Sequence, residues 1–226
     1  FKKGITLFRE EFTSKTWVQE YNFPAFTAGK VKKTLFPEEL RPSMQGWMIN
    51  TRRAKFADPR TRQAIGLAFD FEWSNRNLFF DAYTRLASYF EGSDYAAKGV
   101  PDKAELALLE PHRADLPAEV FGDPYVPPVS DGSGRDRTLL RKASELLAEA
   151  GWKQEGQFLV DGTRARLSVE FLLHASVFQP VTMPYIENLK RIGVDASLRV
   201  IDPAQYQSRT ADFDFDIVMF AVTFSA

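Results

Sequence analysis

The chain has 226 residues, of which 44% are hydrophobic and 20 are phenylalanine, so a packed core is expected rather than disorder. Its formal net charge of −1 argues against a nucleic-acid-binding protein, because neutralising phosphates requires excess basic residues. The absence of cysteine excludes disulfide frameworks, thiolate catalysis and thiolate zinc sites. No apolar run approaches the roughly 18 residues of a membrane-spanning helix.

The sequence begins without a methionine and inside a plausible structural element. We therefore expect a fragment or a processed chain. Its lack of a visible signal peptide says nothing about export.

Residues 1–45 are predicted to form a small separate piece. A short strand is predicted near Ile5–Phe8 and a helix near Ser14–Tyr21. A turn-rich run from Phe23 to Gly29 then leads to a predicted strand at Val31–Leu35.

The stretch from Gly46 to Trp73 predicts a short strand at Trp47–Asn50, a basic turn and then a helix. Asp58 is placed to cap the helix N-terminus, and Pro59 loses no useful hydrogen bond at the first helical position. An apolar face at helical spacing is formed by Ala64, Ile65, Ala68, Phe69 and Phe71.

Ser74–Phe80 is predicted either to continue this helix or to begin another helical turn. Tyr83–Phe90 follows, with Tyr83, Arg85 and Tyr89 in a loop context, and helical periodicity returns at Lys103–Leu109. Prolines and glycines dominate residues 111–134, which predicts a long surface loop, either functional or mobile. Within it, Asp131–Asp136 superficially resembles a calcium loop but lacks alternating oxygen ligands and a terminal glutamate. A turn followed by a helix cap is the favoured interpretation.

The last third of the chain alternates between strand and helix patterns. A helix over Leu139–Ala150 ends at Gly151, and another opens at Pro180, with Pro184 expected to delay its ordered start. Asp202-Pro203 repeats the cap-plus-proline start and predicts a short helix through Tyr206. The strands are predicted at Leu167–Leu173, Val194–Val200 and Phe215–Phe220.

This strand–helix order predicts right-handed crossovers and parallel pairing. Ligands of such sheets gather outside the carboxyl ends of the strands. Here those ends are His174–Phe178, Ile201–Asp202 and Phe220–Ser225.

Three segments carry a resemblance to a known family. In the first, Gly46–Asp70, an Asn-bearing strand precedes a Phe-x-Asp-x-Arg-x-Arg helix start. The second, Leu140–Trp152, is a helix that ends in Ala-Gly-aromatic, and the third is Tyr185–Phe220. In this order they resemble the family-five extracellular solute-binding proteins, the oligopeptide- and dipeptide-binding subunits of bacterial ABC importers. Phe69–Trp73 and Tyr83–Arg85 are most similar to the Yej-type peptide-uptake branch.

The resemblance implies an α/β fold, a periplasmic-binding-protein-like lobe with a mixed, largely parallel sheet flanked by helices. Residues 1–45 would be the end of the first lobe, and residues 46–226 most of the second lobe, truncated at its C-terminus. The implied protein is a monomeric, periplasmic receptor without enzymatic activity or cofactor. It would bind peptides or peptide-like solutes, deliver them to an ABC permease and bind no nucleic acid.

Several residues are predicted to line the ligand site. Trp47 and Met48 point to opposite faces of one strand, so one is expected in the core and the other in the cleft. Arg52 belongs to a basic run that is either a solvated turn or the source of a bidentate carboxylate contact. The full predicted set is Trp47, Met48, Asn50, Arg52, Tyr83, Arg85, Tyr89, His174, Phe220, Thr223 and Ser225.

One departure from the family pattern concerns the peptide amine. In the peptide-binding relatives, the loop after the strand matching Phe215–Phe220 carries Trp and then Asp, and the Asp holds the amine. The matching positions here are Val222 and Ser225, and a neutral serine does not pair with an ammonium group as a carboxylate does. Recognition of a free amine is therefore in question.

Two other function classes stay open on the sequence alone. An α/β hydrolase or transferase needs converging acid, base and nucleophile, yet the only histidines, His112 and His174, lie far apart and no G-x-S-x-G elbow is present. A pure interaction domain is the third class. An apolar, aromatic concave face without a catalytic cluster favours the receptor.

Overall fold

The computed structural model describes residues 7–11, 13–36 and 43–223. The chain divides into two compact units. The larger is built mainly from residues 46–84 and 129–220, and the smaller mainly from residues 85–128.

Strands and α-helices alternate regularly only over residues 168–222. The helices are α1 (Ser14–Gln19), α2 (Pro24–Thr27), α3 (Pro59–Leu67), α4 (Phe71–Leu78), α5 (Lys103–Leu109), α6 (Arg137–Glu149), α7 (Gln179–Arg191) and α8 (Pro203–Ala211). The strands are β1 (Met44–Ile49), β2 (Lys153–Glu155), β3 (Phe158–Val160), β4 (Ser168–Leu173), β5 (Asp195–Val200) and β6 (Ile217–Val222).

The main sheet has four strands in the order β1-β6-β4-β5. β4 runs parallel to both neighbours, with Phe171 opposite Leu198 of β5 and Ile217 of β6. The predicted parallel pairing of the three late strands is confirmed. A separate antiparallel hairpin, β2–β3, was not expected from the sequence.

Strand β1 runs in the opposite direction to its neighbour β6. Near one end of the pair, Ser43 Oγ lies 2.9 Å from Thr223 Oγ1. Near the other end, the backbone N–H of Asn50 donates to the Asp216 carbonyl at 2.9 Å. Contacts that pair an early residue with a late one at each end require antiparallel strands. The sheet is therefore mixed and largely parallel, as predicted.

Apolar residues fill both faces of the sheet because alternate strand residues point to opposite sides. On one face, Phe171 joins a large core with Ile65, Leu147 and Tyr185 from α3, α6 and α7. On the other face, Leu172 packs in a smaller cluster with Tyr206, Phe215 and Val218. The sheet is thus covered by helices on both sides, and α8 contributes Tyr206 to the smaller cluster.

Helix starts follow the local signals in the sequence. The Asp58 carboxylate accepts from the Arg60 amide at 2.8 Å, with Pro59 at the first helical position. Asp202 accepts from the Gln205 amide at 3.0 Å and is also followed by proline. Such caps satisfy backbone donors that a helix leaves unpaired. The predicted caps of α3 and α8 are confirmed, although α8 is longer than expected.

Among the predictions for residues 1–45, the helix near Ser14–Tyr21 is confirmed by α1, whereas the predicted strands are absent where the structure describes those residues. Val31–Leu35 is irregular, and Phe23–Gly29 contains the short helix α2. Of the strand predicted near Ile5–Phe8, residues 7 and 8 are not in a strand, and the first two lie outside the described residues. A strand needs a partner, and a period-two pattern does not supply one.

Backbone conformation and packing decide where two of the helices begin and end. Helix α4 ends at Leu78, because Phe80 and Asp81 adopt positive φ values of 55° and 56° that stop helix propagation. Residues 83–90 are irregular, which agrees with the loop context predicted for Tyr83 and Tyr89. The delayed start expected from Pro184 was wrong, because helix α7 starts at Gln179 and continues through Pro184. Pro184 removes only one backbone hydrogen-bond donor, and the burial of several neighbouring side chains offsets that loss.

A glycine supports the loop before α6. Gly134 has φ +79°, and a Cβ atom there would lie 2.9 Å from Trp73 Cδ1. Its amide donates to Asp70 Oδ2 at 2.8 Å, and its carbonyl accepts from Asn188 Nδ2 at 3.0 Å. The position therefore combines a left-handed backbone with close packing and partly buried polar contacts.

We predict that Gly134→Ala destabilises the chain by about 1–3 kcal/mol more than Gly156→Ala. Gly156 also has positive φ, +60°, but a methyl group added there would meet no atom within 4 Å. Both variants incur the left-handed backbone cost, whereas only the first meets an indole ring. Urea unfolding measures the difference, and equal losses in the two variants would contradict the packing argument.

Candidate ligand-binding surface

The carboxyl ends of three parallel strands meet at one edge of the sheet. His174 follows β4, Ile201 follows β5, and Phe220 lies near the end of β6. Several apolar side chains are open to solvent here, with exposed fractions of 52% for Phe220, 72% for Val177 and 41% for Val200. We refer to residues 174–178, 200–201 and 219–220 as the carboxyl edge.

His174 is exposed but held against aromatic neighbours. Its ring centroid lies 4.7 Å from that of Tyr206 and 6.4 Å from that of Phe178. Tyr206 is buried and donates its hydroxyl to the Met219 carbonyl at 2.9 Å, and burial raises the pKa of that hydroxyl. A fixed tyrosine thus supports a histidine that faces solvent.

Asn50 lies at the opposite edge of the sheet. Its buried Nδ2 donates to the carbonyls of Phe213 and Phe215 at 2.8 and 2.9 Å, and its Oδ1 accepts from the Arg52 amide at 3.1 Å. Because β1 is antiparallel, Asn50 and Arg52 adjoin the amino ends of the parallel strands, an edge called the amino edge below. The structure therefore does not bring them together with His174 and Phe220.

Trp47 and Met48 occupy opposite faces of β1, as predicted from strand alternation. The Trp47 ring packs edge-on against Phe171, with centroids 5.3 Å apart, as part of the large core. Met48 packs against the smaller cluster that contains Tyr206. Each side chain is therefore partly buried in a hydrophobic cluster.

Tyr83 lies in the larger unit, and its backbone is fixed by Asn75. Asn75 Nδ2 donates to the Tyr83 carbonyl at 2.8 Å, and the Tyr83 amide donates to Asn75 Oδ1 at 3.1 Å. The tyrosine ring meets Phe79 edge-on at 5.0 Å. The ring is half-exposed at a defined position.

Three predicted residues belong to the smaller unit, and a fourth lies outside the described part. Arg85 Nη1 donates to the Pro128 carbonyl at 2.6 Å, and the Tyr89 ring meets Phe90 edge-on at 5.0 Å. Thr223 contacts Ser43 through its hydroxyl. Ser225 lies outside the described residues.

A charged network occupies the amino edge. Arg53 pairs with Asp214 at 2.8 Å, and Lys55 pairs with Asp216 at 2.7 Å. Arg209 contacts Asp214 at 3.1 Å and Glu170 at 3.0 Å. The hydrogen bond from Arg53 lowers the pKa of the Asp214 carboxyl. Arg53 and Lys55 are far from Asp214 and Asp216 in the sequence, so no short pattern predicts these ion pairs.

The comparison with known proteins identifies the family. A family model described as "Bacterial extracellular solute-binding proteins, family 5 Middle" matches residues 10–226. The chain belongs to this family.

Two relatives illustrate the similarity of this solute-binding protein to others. The probable peptide-binding protein YejA of Agrobacterium fabrum is 40% identical over 222 residues, covering 97% of this chain and 36% of the relative. The uncharacterized protein YejA of Escherichia coli is 41% identical over 219 residues, covering 96% and 36%. The resemblance to the Yej-type branch is confirmed, and the chain spans about a third of these relatives' length.

A solved structure supports the fold. The oligopeptide-binding protein AppA from Bacillus subtilis, in complex with a nonapeptide, matches with a TM-score of 0.55 and 20% identity, covering 83% of this chain and 32% of AppA. The predicted periplasmic-binding-protein-like fold is confirmed.

Two further features are absent from the described residues. No helix among them combines the length and apolar character needed to cross a membrane. No group of three or more histidine, aspartate or glutamate side chains in that part of the chain is arranged to hold a metal ion.

We predict that Asn50→Ala destabilises this solute-binding chain by about 1–3 kcal/mol for each carbonyl left without its donor. Asn77→Ala is the matched control, because the Asn77 amide donates to the Trp73 carbonyl at 2.8 Å at an exposed position. Its effect is expected to stay within about 0.5 kcal/mol. Denaturant unfolding with equal midpoints for the two variants would refute the role of the buried amide.

Proposed function

We propose that this chain is a ligand-binding lobe of a periplasmic receptor that delivers oligopeptides or peptide-like solutes to the permease of an ABC importer. The observation that carries the proposal is the open carboxyl edge, where Phe220, Val177 and Val200 are exposed beside the supported His174. The names of the relatives YejA and AppA, a probable peptide-binding and an oligopeptide-binding protein, support peptides as cargo.

A hinged receptor works through two states that exist before ligand arrives. Ligand shifts their populations toward the closed state because only that state lets it contact both lobes. Hydrogen bonds to the main chain of an extended peptide supply affinity with tolerance of side-chain sequence. His174 offers one polar group for such contacts, and the apolar side chains around it accept a range of cargo residues.

The chain is proposed to bind cargo without transforming it. Nucleophilic catalysis needs a nucleophile within hydrogen-bond reach of a base. The ring contacts of His174 in the described structure are with Tyr206 and Phe178, which is a packing arrangement. The α/β hydrolase or transferase alternative finds no support among the relatives and neighbouring structures.

The first test removes one apolar group from the carboxyl edge of the complete receptor. Phe220→Ala is expected to weaken peptide binding by about tenfold, equivalent to about 1.4 kcal/mol. Phe158→Ala is the control, because it removes a partly buried phenylalanine of the β2–β3 hairpin, which is not part of the carboxyl edge. The Phe158 ring stacks on Arg166, whose Cζ lies 4.2 Å from the ring centroid. Isothermal calorimetry with a synthetic pentapeptide, selected by mass spectrometry of co-purifying cargo, measures both.

Equal peptide affinities for wild type and Phe220→Ala would contradict the placement of cargo at the carboxyl edge. Weaker binding in Phe158→Ala by a similar factor would indicate a general loss of structure instead, and would also count against that placement.

The second test uses the chain by itself, and we predict weak peptide binding. Full burial of one large apolar side chain contributes about 1.5–3 kcal/mol, and those of the carboxyl edge are already partly buried. Association itself costs about 4–15 kcal/mol, so the favourable free energy from this one surface is too small for tight binding. Calorimetric titration of the chain with the same pentapeptide should give no micromolar binding, and micromolar or tighter affinity would refute the two-lobe proposal.

A further inference from the structure

Tyr206 joins α8 to the ends of two strands at the carboxyl edge. Its hydroxyl donates to the Met219 carbonyl of β6 at 2.9 Å, and its ring centroid lies 4.7 Å from that of His174, the residue after β4. The first turn of α8 fixes its backbone, because the Tyr206 N–H donates to the Asp202 carbonyl at 2.9 Å. Burial in the smaller cluster raises the pKa of the hydroxyl, which is therefore a proton donor at neutral pH.

The Met219 carbonyl lies on the side of β6 that faces β4. Backbone N–H and C=O groups of successive strand residues point alternately toward the two neighbouring strands. The Asn50 N–H donates to the Asp216 carbonyl, so Asp216 faces β1. Ile217 therefore faces β4, and so does Met219 two residues later. In a longer parallel ladder, this carbonyl would accept a backbone N–H from the end of β4.

His174 is the residue whose N–H a longer ladder would bring to that carbonyl. The Leu173 carbonyl accepts from the Ile201 N–H at 2.9 Å, so Leu173 faces β5 and the next residue, His174, faces β6. Over residues 7–11, 13–36 and 43–223, however, the His174 N–H has no hydrogen-bond partner. The Tyr206 hydroxyl bonds to the Met219 carbonyl in its place.

Side chains end the β4–β6 ladder at both of its ends. β4 pairs with β5 from Ser168 to Leu173, whereas its pairing with β6 is confined to Phe171 and Leu172. At the amino edge, the Glu170 N–H donates to the Asp216 side chain, at 3.0 Å from Oδ2, instead of to a carbonyl of β6. At the carboxyl edge, the Tyr206 hydroxyl has the corresponding role. The short ladder thus results from particular side chains and not from the length of β4.

We propose that Tyr206 is a positioning residue for cargo, whose hydroxyl occupies the Met219 carbonyl and so keeps the His174 N–H available to a main-chain carbonyl of a bound peptide. The contact with cargo rests on the proposed function, whereas the ending of the ladder rests on the geometry of Tyr206 itself. Every residue of a peptide carries a main-chain carbonyl, so such a donor binds cargo of varied side-chain sequence. One buried side chain thus supports the His174 ring and sets the availability of its N–H.

The first part of the test compares Tyr206→Phe with Tyr185→Phe in the complete receptor. Each variant keeps the ring and removes one hydroxyl that donates to a backbone carbonyl at 2.9 Å, that of Met219 for Tyr206 and that of Ile65 for Tyr185. Tyr185 belongs to the large core and not to the carboxyl edge. In calorimetry with the synthetic pentapeptide, Tyr206→Phe is expected to weaken binding about fivefold, and Tyr185→Phe by less than about twofold.

Hydrogen exchange of the His174 amide separates positioning from a general loss of structure. Without the tyrosine hydroxyl, the Met219 carbonyl is left to the His174 N–H, and the ladder extends by one hydrogen bond. In ligand-free Tyr206→Phe, this amide is therefore expected to exchange at least about threefold more slowly than in wild type, because a hydrogen-bonded amide exchanges only after local opening. A loosened edge would exchange faster instead. Mass spectrometry with electron-transfer fragmentation measures the rate at single residues.

Three outcomes would overturn the role of Tyr206. Unchanged peptide affinity in Tyr206→Phe would show that cargo does not use the His174 N–H. An equal loss of affinity in Tyr185→Phe would reduce the effect to general destabilisation. Unchanged or faster exchange of the His174 amide in Tyr206→Phe would show that the hydroxyl does not end the ladder. Failure of the proposed function is separate, since it would appear as absent peptide binding in the wild-type receptor.

Discussion

A single buried amide holds the antiparallel strand of this sheet in place. Asn50 donates to the carbonyls of Phe213 and Phe215, and accepts from the backbone of its own turn. A buried amide left without partners is costly, so these bonds select one register of β1 against β6. That register fixes which residues of β1 adjoin each edge of the sheet, and the two surfaces discussed above depend on it.

The two edges differ in chemistry because strand direction separates them. Where the parallel strands end, Phe220, Val177 and Val200 are open to solvent. Where they begin, Asp214 and Asp216 meet arginine and lysine in a paired network. Apolar groups suit a surface that is covered only when cargo is present, whereas paired charges tolerate permanent exposure to water.

The sequence predicted the helix caps, which depend on neighbouring residues, but not the direction of β1, which depends on distant ones. The caps at Asp58 and Asp202 depend on residues within one helical turn, so the sequence predicted them correctly. The direction of β1 depends on Asn50 meeting residues more than 160 positions away, and no short pattern encodes that pairing. The predicted site set consequently mixed residues of both edges. His174 and Phe220 lie at the carboxyl edge because they stand at the ends of parallel strands, whereas Arg52, predicted in the same set, lies at the amino edge.

One hydrogen-bonded sheet joins the carboxyl edge to the amino edge, because Phe171 of β4 pairs with both Leu198 and Ile217. The large core on one face and the smaller cluster on the other pack against this same sheet. A ligand that contacted only the carboxyl edge would therefore meet a surface whose position is set by packing that the ligand does not touch. An interaction with equal affinity for two states shifts neither of them, so under the proposed function the closed state must be favoured by contacts that cargo makes with groups outside this edge.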